Sequence, residues 1–192
     1  MLNEVEFGGA VQRARVTPVP RRELAYRLVP MRPGMRAAVD PVIKVTGYAA
    51  RFFELSQVIV GEKGSPYRYR EMIWPDAFRD SLLEDDVTFN PEHQTSSLGS
   101  TENGALRLEA DAGGLRFRFT PPRSAAGEAL IARVRLGAFT GMSIRFSIER
   151  SLWLHEDSDC PIRALKKASL IHISTVSRPA FPTTSIQIET QA

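Results

Sequence analysis

Two histidines and a serine are the side chains of this sequence best suited to chemistry. His93 lies in NPEHQ (90–94), which indicates the exit of a strand, and Ser143 lies in GMSIRF (141–146), between a glycine and a β-rich apolar run. A second strand-borne histidine, His172, follows in LIHIS (170–174). A serine and two histidines within or beside predicted strands form a pattern that suggests a serine protease.

A serine nucleophile dictates the roles that the other two side chains would take. An unassisted hydroxyl is a weak nucleophile at neutral pH, so a base must accept its proton and a third group must orient that base. We assign Ser143 as nucleophile, His93 as base and His172 as orienter, a task more often performed by Asp or Glu. The alternative for His172, which alternates with Ile171 and Ile173, is a buried histidine bonded to a carbonyl.

Composition restricts the class of protein. The chain has 192 residues, 43% of them hydrophobic, which is enough for one sizeable core. We find neither an apolar run long enough for a membrane helix nor a signal-peptide pattern, so a cytoplasmic protein is expected. The single cysteine, Cys160, excludes an internal disulfide and a cysteine-based structural zinc site.

The N-terminal segment differs in composition from the rest. Residues 1–39 carry seven arginines against three glutamates, together with four prolines. We therefore predict an extended or partly disordered basic arm over residues 1–41 and a folded domain over 42–192. The arm lacks interleaved aromatics and a nucleic-acid-binding fold, so no specific nucleic-acid binding is expected.

Hydrophobic patterning predicts a mainly β domain with two helices. A strand is expected from Val42, a hairpin over 106–119 around a glycine-rich turn, and further strands near 87–90, 140–154, 168–177 and 184–189. One helix is predicted to open at Pro75 and end by Asp86, and the other to run from Ser124 to Leu136. These elements favour an α+β fold, a closed or nearly closed antiparallel β-barrel surrounded by helices.

The order of the motifs resembles that of the prohead proteases of tailed bacteriophages, the HK97-type capsid maturation family. The resemblance spans roughly residues 42–189. It is carried by GYAA (47–50), EMIWPDAF (71–78), His93 followed by LG (98–99), DAGGLRF (111–117), GMSIRF (141–146) and ISTVSRPA (173–180).

This resemblance implies a herpesvirus-protease-like fold and an activity. The expected substrates are the major capsid protein or a scaffold protein, cut inside assembling procapsids in the host cytoplasm, with no cofactor or metal. The arm could be a processed or docking segment. Sequence alone leaves open whether the chain forms a homodimer.

Two positions depart from the family pattern. His172 stands where these phage enzymes usually have Glu, which gives the Ser-His-His set of the herpesvirus proteases; a neutral imidazole stabilises an imidazolium less than a carboxylate does, so a slower enzyme is expected. Arg145 replaces the usual glycine and could narrow the cleft or add positive charge near the oxyanion. Arg178, by resemblance to the herpesvirus enzymes, is a candidate donor to the oxyanion through its backbone N–H.

Other interpretations remain open at this stage. A metal site could use His155, Asp157, Asp159 and Cys160, although their spacing fits no common zinc pattern and an acidic turn explains them more simply. A protease-like barrel without activity, acting as a scaffold-binding assembly factor, is the main functional alternative. A generic β-barrel binding module would require the ordered motifs to occur by chance.

Overall fold

The computed structural model describes residues 42–61 and 67–191, and strands dominate them. The strands are β1 (Val42–Arg51), β2 (Ile59–Val60), β3 (Arg68–Ile73), β4 (Thr88–Phe89), β5 (Leu106–Asp111), β6 (Gly114–Phe119), β7 (Gly141–Leu154), β8 (Ile162–Val176) and β9 (Ser185–Gln191). Helices are α1 (Ser81–Glu84) and α2 (Ala125–Arg135), with a 3-10 turn at Pro91–His93. The predicted mainly β fold is confirmed, whereas the predicted arm, residues 1–41, lies outside the described residues.

The strands form two sheets. One has the order β5-β6-β1-β9 and is antiparallel throughout. In the other, β8 pairs antiparallel with β7 and parallel with β3 and β4. The expectation of purely antiparallel pairing is therefore wrong for two pairs, because the long chain between β3 or β4 and β8 lets it return in the same direction. Closure into a barrel stays a prediction.

The core is aromatic and joins the two sheets. Phe89 of β4 stacks on Phe119 of β6 with ring centroids 4.0 Å apart and planes 2° from parallel. Phe117, two residues earlier on β6, packs against the same ring. All three side chains are buried. Because β4 and β6 belong to different sheets, this contact fixes the position of the segment that leads into His93.

Two predicted elements form as expected, and side chains explain their bounds. In the β5–β6 hairpin, Asp111 Oδ1 accepts hydrogen bonds from the N–H groups of Gly113 and Gly114, at 2.7 and 3.1 Å. Ser124 caps α2 by accepting a hydrogen bond from the Gly127 N–H, and Gly137 follows the helix with a φ of 68°.

The first helix is shorter than predicted. Residues 75–80 form turns, and helix α1 spans Ser81–Glu84 only. The carbonyl of Ala77, which a longer helix would bond to the Ser81 N–H, instead accepts a hydrogen bond from the Ala168 N–H of β8 at 2.8 Å. Bonding to the sheet thus replaces the first helical turn. Neither α1 nor α2, the α-helices of the described residues, is long and apolar enough to cross a membrane.

Candidate active site

The pairing of β7 with β8 brings four polar side chains onto one face. The register sets Ser143 opposite Ser174 and Arg145 opposite His172. Directly opposed residues of an antiparallel pair point to the same side, and residues two apart on a strand do so as well. Met142, which precedes Ser143 and therefore points to the other face, is fully buried in the core. The two-residue period of the strand therefore places these polar side chains on one face of the β7–β8 pair and core side chains on the other.

His93 reaches this face from the 3-10 turn that follows β4. The Asn90 N–H donates to the Ile173 carbonyl of β8 at 3.0 Å, and Asn90 Nδ2 donates to the Gln94 carbonyl at 2.8 Å. Glu92 and His93 both have left-handed backbones, with φ of 50° and 55°. Such a conformation costs about 1–2 kcal/mol per residue, so these bonds stabilise a backbone that the sequence would not adopt alone.

Helix α2 supports the same turn from outside. Arg133 donates two hydrogen bonds to the Glu92 carboxylate, at 2.6 and 2.9 Å, and its guanidinium lies 4.3 Å from the Phe139 ring centroid. The hydrogen bond from Arg133 lowers the pKa of Glu92. A bidentate pair of this kind fixes orientation as well as distance. The residue before His93 is thereby tied to α2.

The two histidines contact each other directly. His93 Nδ1 lies 2.8 Å from His172 Nε2, and Ser174 Oγ lies 3.2 Å from the same His93 nitrogen. His172 and Ser174 are buried, whereas His93 is exposed. With Nδ1 engaged, Nε2 is the nitrogen of His93 left for a substrate-side proton. This is the arrangement that a base and its orienting group require.

Ser143 shares the face but makes no side-chain hydrogen bond to any described residue. It is half-buried, and its strand partner Ser174, rather than Ser143 itself, contacts His93. Nucleophile-to-base hydrogen bonds are often long in substrate-free enzymes and shorten when substrate binds. The sequence thus identified three residues that the fold places on or against one face, while the triad itself stays a prediction.

Electrostatics favour the neutral form of both imidazoles. Packing of protein around its ring, which removes part of the water although the side chain stays exposed, lowers the pKa of His93, and the positive charge of Arg145 lowers it further. Burial, then His93 and Arg145, lower the pKa of His172. A neutral histidine can accept a proton from serine. Because both folded-state pKa values lie below the ordinary value of about 6.5, this pair contributes stability at higher pH that is lost as the pH falls below that value.

Replacing Arg145 is expected to shift the pH dependence of any activity that uses His93. In Arg145→Gln the nearby positive charge is gone, so the pKa of His93 rises and the acidic limb of the rate profile moves to higher pH. The profile of kcat/KM against pH, measured at low salt, checks this. Arg150→Gln, an exposed arginine of the same strand, is the control. If the acidic limb of the profile does not move in Arg145→Gln, the charge of Arg145 does not affect the pKa of His93.

The start of β7 is held by a buried threonine. Thr184 Oγ1 accepts a hydrogen bond from the Met142 N–H at 3.0 Å and lies 3.2 Å from the Met142 carbonyl oxygen. A Cβ atom at Gly141 would approach Thr184 Oγ1 to 2.6 Å and Pro179 Cγ to 3.0 Å. Only glycine leaves Thr184 in place, so the glycine two residues before Ser143 helps to set the position of Ser143.

The variant Gly141→Ala is expected to displace this strand. The added methyl group overpacks the site and costs about 1–3 kcal/mol of folding free energy, and the shift at Ser143 lowers catalytic rate by about tenfold or more. Thermal unfolding and a cleavage assay measure the two effects. Ser147→Ala, an exposed position of β7, should change neither. If Gly141→Ala keeps wild-type rate and stability, Thr184 does not position Ser143.

Two further candidates lie away from the histidine pair. Arg178 is exposed and follows the end of β8 at Val176, which pairs with Gly141, so its role as oxyanion donor stays a prediction. His155 lies in the turn between β7 and β8. Within residues 42–61 and 67–191, no group of three or more His, Cys, Asp or Glu side chains is arranged to hold a metal ion.

Sequence reasoning assigned no role to three residues that shape the site. Ser174 is two positions after His172, so strand period alone could have placed it on the same face. Thr184 and Arg133 are distant in sequence from the residues that they support, 42 positions from Met142 and 41 from Glu92. No local pattern signals such contacts.

A mainly β chain that places an accessible serine near a histidine pair has the side chains of a serine hydrolase. The family model for the caudovirus prohead serine proteases matches residues 35–192, and the chain belongs to that family. Its class is therefore that of the serine proteases.

Comparison with solved structures gives a weaker likeness. The crystal structure of KSHV protease, a herpesvirus enzyme, in complex with a hexapeptide phosphonate inhibitor matches with a TM-score of 0.43 and 14% sequence identity. The match covers 77% of this chain and 64% of that one. No curated protein matches the chain significantly.

Proposed function

We propose that this chain is a serine endopeptidase that cleaves scaffold or capsid-protein extensions during procapsid maturation. Ser143 is the nucleophile, His93 the general acid and base, and His172 the orienting group. The observation that carries the proposal is the 2.8 Å contact between His93 Nδ1 and His172 Nε2, on the face that also bears Ser143. It leaves His93 Nε2 for the proton of the serine.

The acylation step uses these groups in order. The Ser143 hydroxyl attacks the scissile carbonyl carbon while His93 Nε2 accepts its proton, and the resulting imidazolium donates from Nδ1–H to His172 Nε2. The tetrahedral intermediate then collapses, and His93 gives the same proton to the leaving amine. An acyl group remains on Ser143, and the new N-terminus of the product departs.

Deacylation repeats the proton transfers with water. His93 removes a proton from the attacking water molecule and returns it to Ser143 Oγ as the acid product leaves. The oxyanion of each intermediate needs a donor, for which the Arg178 N–H and the Arg145 guanidinium are the candidates. Burial of His172 excludes water from the orienting contact and strengthens it.

The free edge of β7 offers a way to bind an extended substrate. Among the described residues, β7 pairs with β8 alone. The backbone N–H and carbonyl of Met142 point away from β8, toward Thr184. Because backbone direction repeats every two residues, the N–H and carbonyl of Ile144 also point away from β8. A substrate segment added there as a strand would pass beside Ser143.

The family implies the substrates and the place of action. Membership of the prohead serine proteases implies capsid or scaffold proteins as substrates, so we propose the major capsid protein, a scaffold protein or both. Cleavage would take place inside assembling procapsids in the host cytoplasm. Residues 1–41 of the chain are a candidate for self-removal.

An inactive assembly factor is the second candidate. The observation that favours it is the lack, among described residues, of a hydrogen bond between Ser143 and His93. Such a protein would bind scaffold through the same sheet edge without cutting it. The two candidates differ in one measurable property, the integrity of the co-assembled chains.

Co-expression with the major capsid and scaffold proteins of the same particle separates the two. Intact-mass analysis of all polypeptides is made for the wild type and for Ser143→Ala. Truncated chains with the wild type alone support the endopeptidase and locate the cleavage sites, including any within residues 1–41. Full-length chains in both, with assembly preserved, support the assembly factor.

A further inference from the structure

Ser174 is the second partner of His93 Nδ1. Its Oγ lies 3.2 Å from that nitrogen, while His172 Nε2 lies 2.8 Å from it. Ser174 has no exposed surface, and it follows His172 by two residues on β8, so both side chains approach His93 from the same face. The buried hydroxyl is therefore built into the contact that orients the base.

Ser143 and Ser174 differ in solvent exposure, and this difference indicates different roles for them. A nucleophile must reach the carbonyl carbon of a bound peptide, which a fully buried hydroxyl cannot do. Ser143, opposite Ser174 on the neighbouring strand, is half-buried and borders the free edge of β7. Ser174 also contacts Nδ1, the nitrogen that His172 already engages. The position of Ser174 therefore suits it to support the base, and not to attack a substrate.

The effect of Ser174 on His93 depends on which ring nitrogen of His93 carries the proton. If His93 carries its proton on Nδ1, one N–H can be shared between two acceptors, as three-centre hydrogen bonds commonly are. If the proton is on Nε2 instead, Nδ1 offers a single lone pair, and Ser174 and His172 compete for it. Two partners at one nitrogen thus favour the Nδ1–H tautomer. Only that tautomer leaves Nε2 free to act as a base.

We propose that Ser174 is a positioning residue whose Oγ accepts a second hydrogen bond from His93 Nδ1–H. This bond stabilises the catalytic tautomer of His93. Ser174 and His172 together then perform the orienting role that a carboxylate has in other triads. The inference rests on the proposed function. A carboxylate orienter brings a full negative charge to the imidazolium. Here two neutral acceptors, His172 Nε2 and Ser174 Oγ, take its place.

The direct test is ¹⁵N NMR of the histidine side chains as a function of pH, for the wild type and Ser174→Ala. The chain has three histidines, so His155→Gln and His172→Gln complete the assignment. We expect the Nδ1–H form of neutral His93 in the wild type. In Ser174→Ala the imidazolium loses an acceptor, so the pKa of His93 falls and the two tautomers mix. The neighbouring charges, Arg145 and the Glu92–Arg133 pair, are unchanged in both proteins.

A second readout is the rate at which a fluorophosphonate probe labels Ser143. Loss of a hydrogen bond to a charged group should slow labelling by about tenfold or more in Ser174→Ala. Ser174→Thr retains the hydroxyl and should restore the rate and the tautomer. Thr175→Val is the matched control, because Thr175 is equally buried and lies next along β8, and its hydroxyl has no hydrogen-bond partner among residues 42–61 and 67–191.

The outcomes distinguish this inference from the proposed function. An unchanged tautomer and pKa of His93 in a folded Ser174→Ala protein overturn the positioning role, as does a pKa that rises. Probe attached to Ser174 would overturn both assignments of the serines. If the wild type is not labelled at all, the endopeptidase proposal fails, while the NMR titration still decides whether Ser174 holds the tautomer of His93.

Discussion

Ser143→Ala is expected to leave the capsid and scaffold proteins at full length in co-expression. Without the hydroxyl no acyl-enzyme forms, and removing the nucleophile of a serine protease costs about 10⁶-fold in kcat. Thermal stability should change little, since the side chain is half-buried and makes no hydrogen bond to a described residue. Intact mass of every co-expressed chain reports the effect.

A strand neighbour provides the control for this variant. Ser147→Ala removes a hydroxyl from an exposed position of β7 and should leave cleavage unchanged. Truncated capsid or scaffold chains that persist with Ser143→Ala, at the same sites as with the wild type, would show that another residue or another protease cuts them. The assignment of Ser143 would then be wrong.

His93→Gln should be almost as severe, and His172→Gln distinctly milder. In the proposed mechanism His93 transfers the proton in every step, so its loss should approach the effect of removing the serine, about 10⁶-fold. In the proposed mechanism His172 acts through His93, and the contact of Ser174 Oγ with His93 Nδ1 is separate from that of His172. We expect a loss of about 10²-fold, within the range usual for one acid–base contribution. Cleavage rates of the purified variants on the same capsid substrate measure both.

The order of these two effects is the informative result. His155→Gln, in the β7–β8 turn, is the histidine control and should retain wild-type rate. Equal losses for His93→Gln and His172→Gln would mean that the orienting contact is as important as the base. A larger loss at His172 than at His93 would exchange their roles, with His172 as the base.

Local signals in the sequence predicted the elements whose bounds are set locally. The α2 helix begins after Ser124 and ends before Gly137 because a cap and a left-handed glycine act within a few residues of the helix. The hairpin at Asp111 forms for the same reason. Each of these features depends on contacts that the sequence itself places side by side.

Elements that depend on distant partners were predicted less well. The helix expected from Pro75 loses its first turns because Ala77 bonds to Ala168, 91 residues later (168 − 77). Parallel pairing of β3 and β4 with β8 depends on the path of the whole intervening chain. Hydrophobic period predicts that a strand exists, but not which strand lies beside it.

The candidate site shows the same division. His93, Ser143 and His172 could be selected because their residue types and positions near strands suggest chemistry. The support from Ser174, Thr184 and Arg133 appears only once β7, β8 and α2 are in place. The proposed arm over residues 1–41 and closure into a barrel stay predictions from sequence and resemblance.

The most direct test of the account is to map where a fluorophosphonate probe attaches to the wild-type protein. Labelled protein is digested and the modified peptide sequenced by mass spectrometry, beside Ser143→Ala and His93→Gln. The account predicts one modification, on Ser143, that is absent from Ser143→Ala and strongly reduced in His93→Gln. Modification of another serine, or labelling of Ser143 at the same rate without His93, would contradict it.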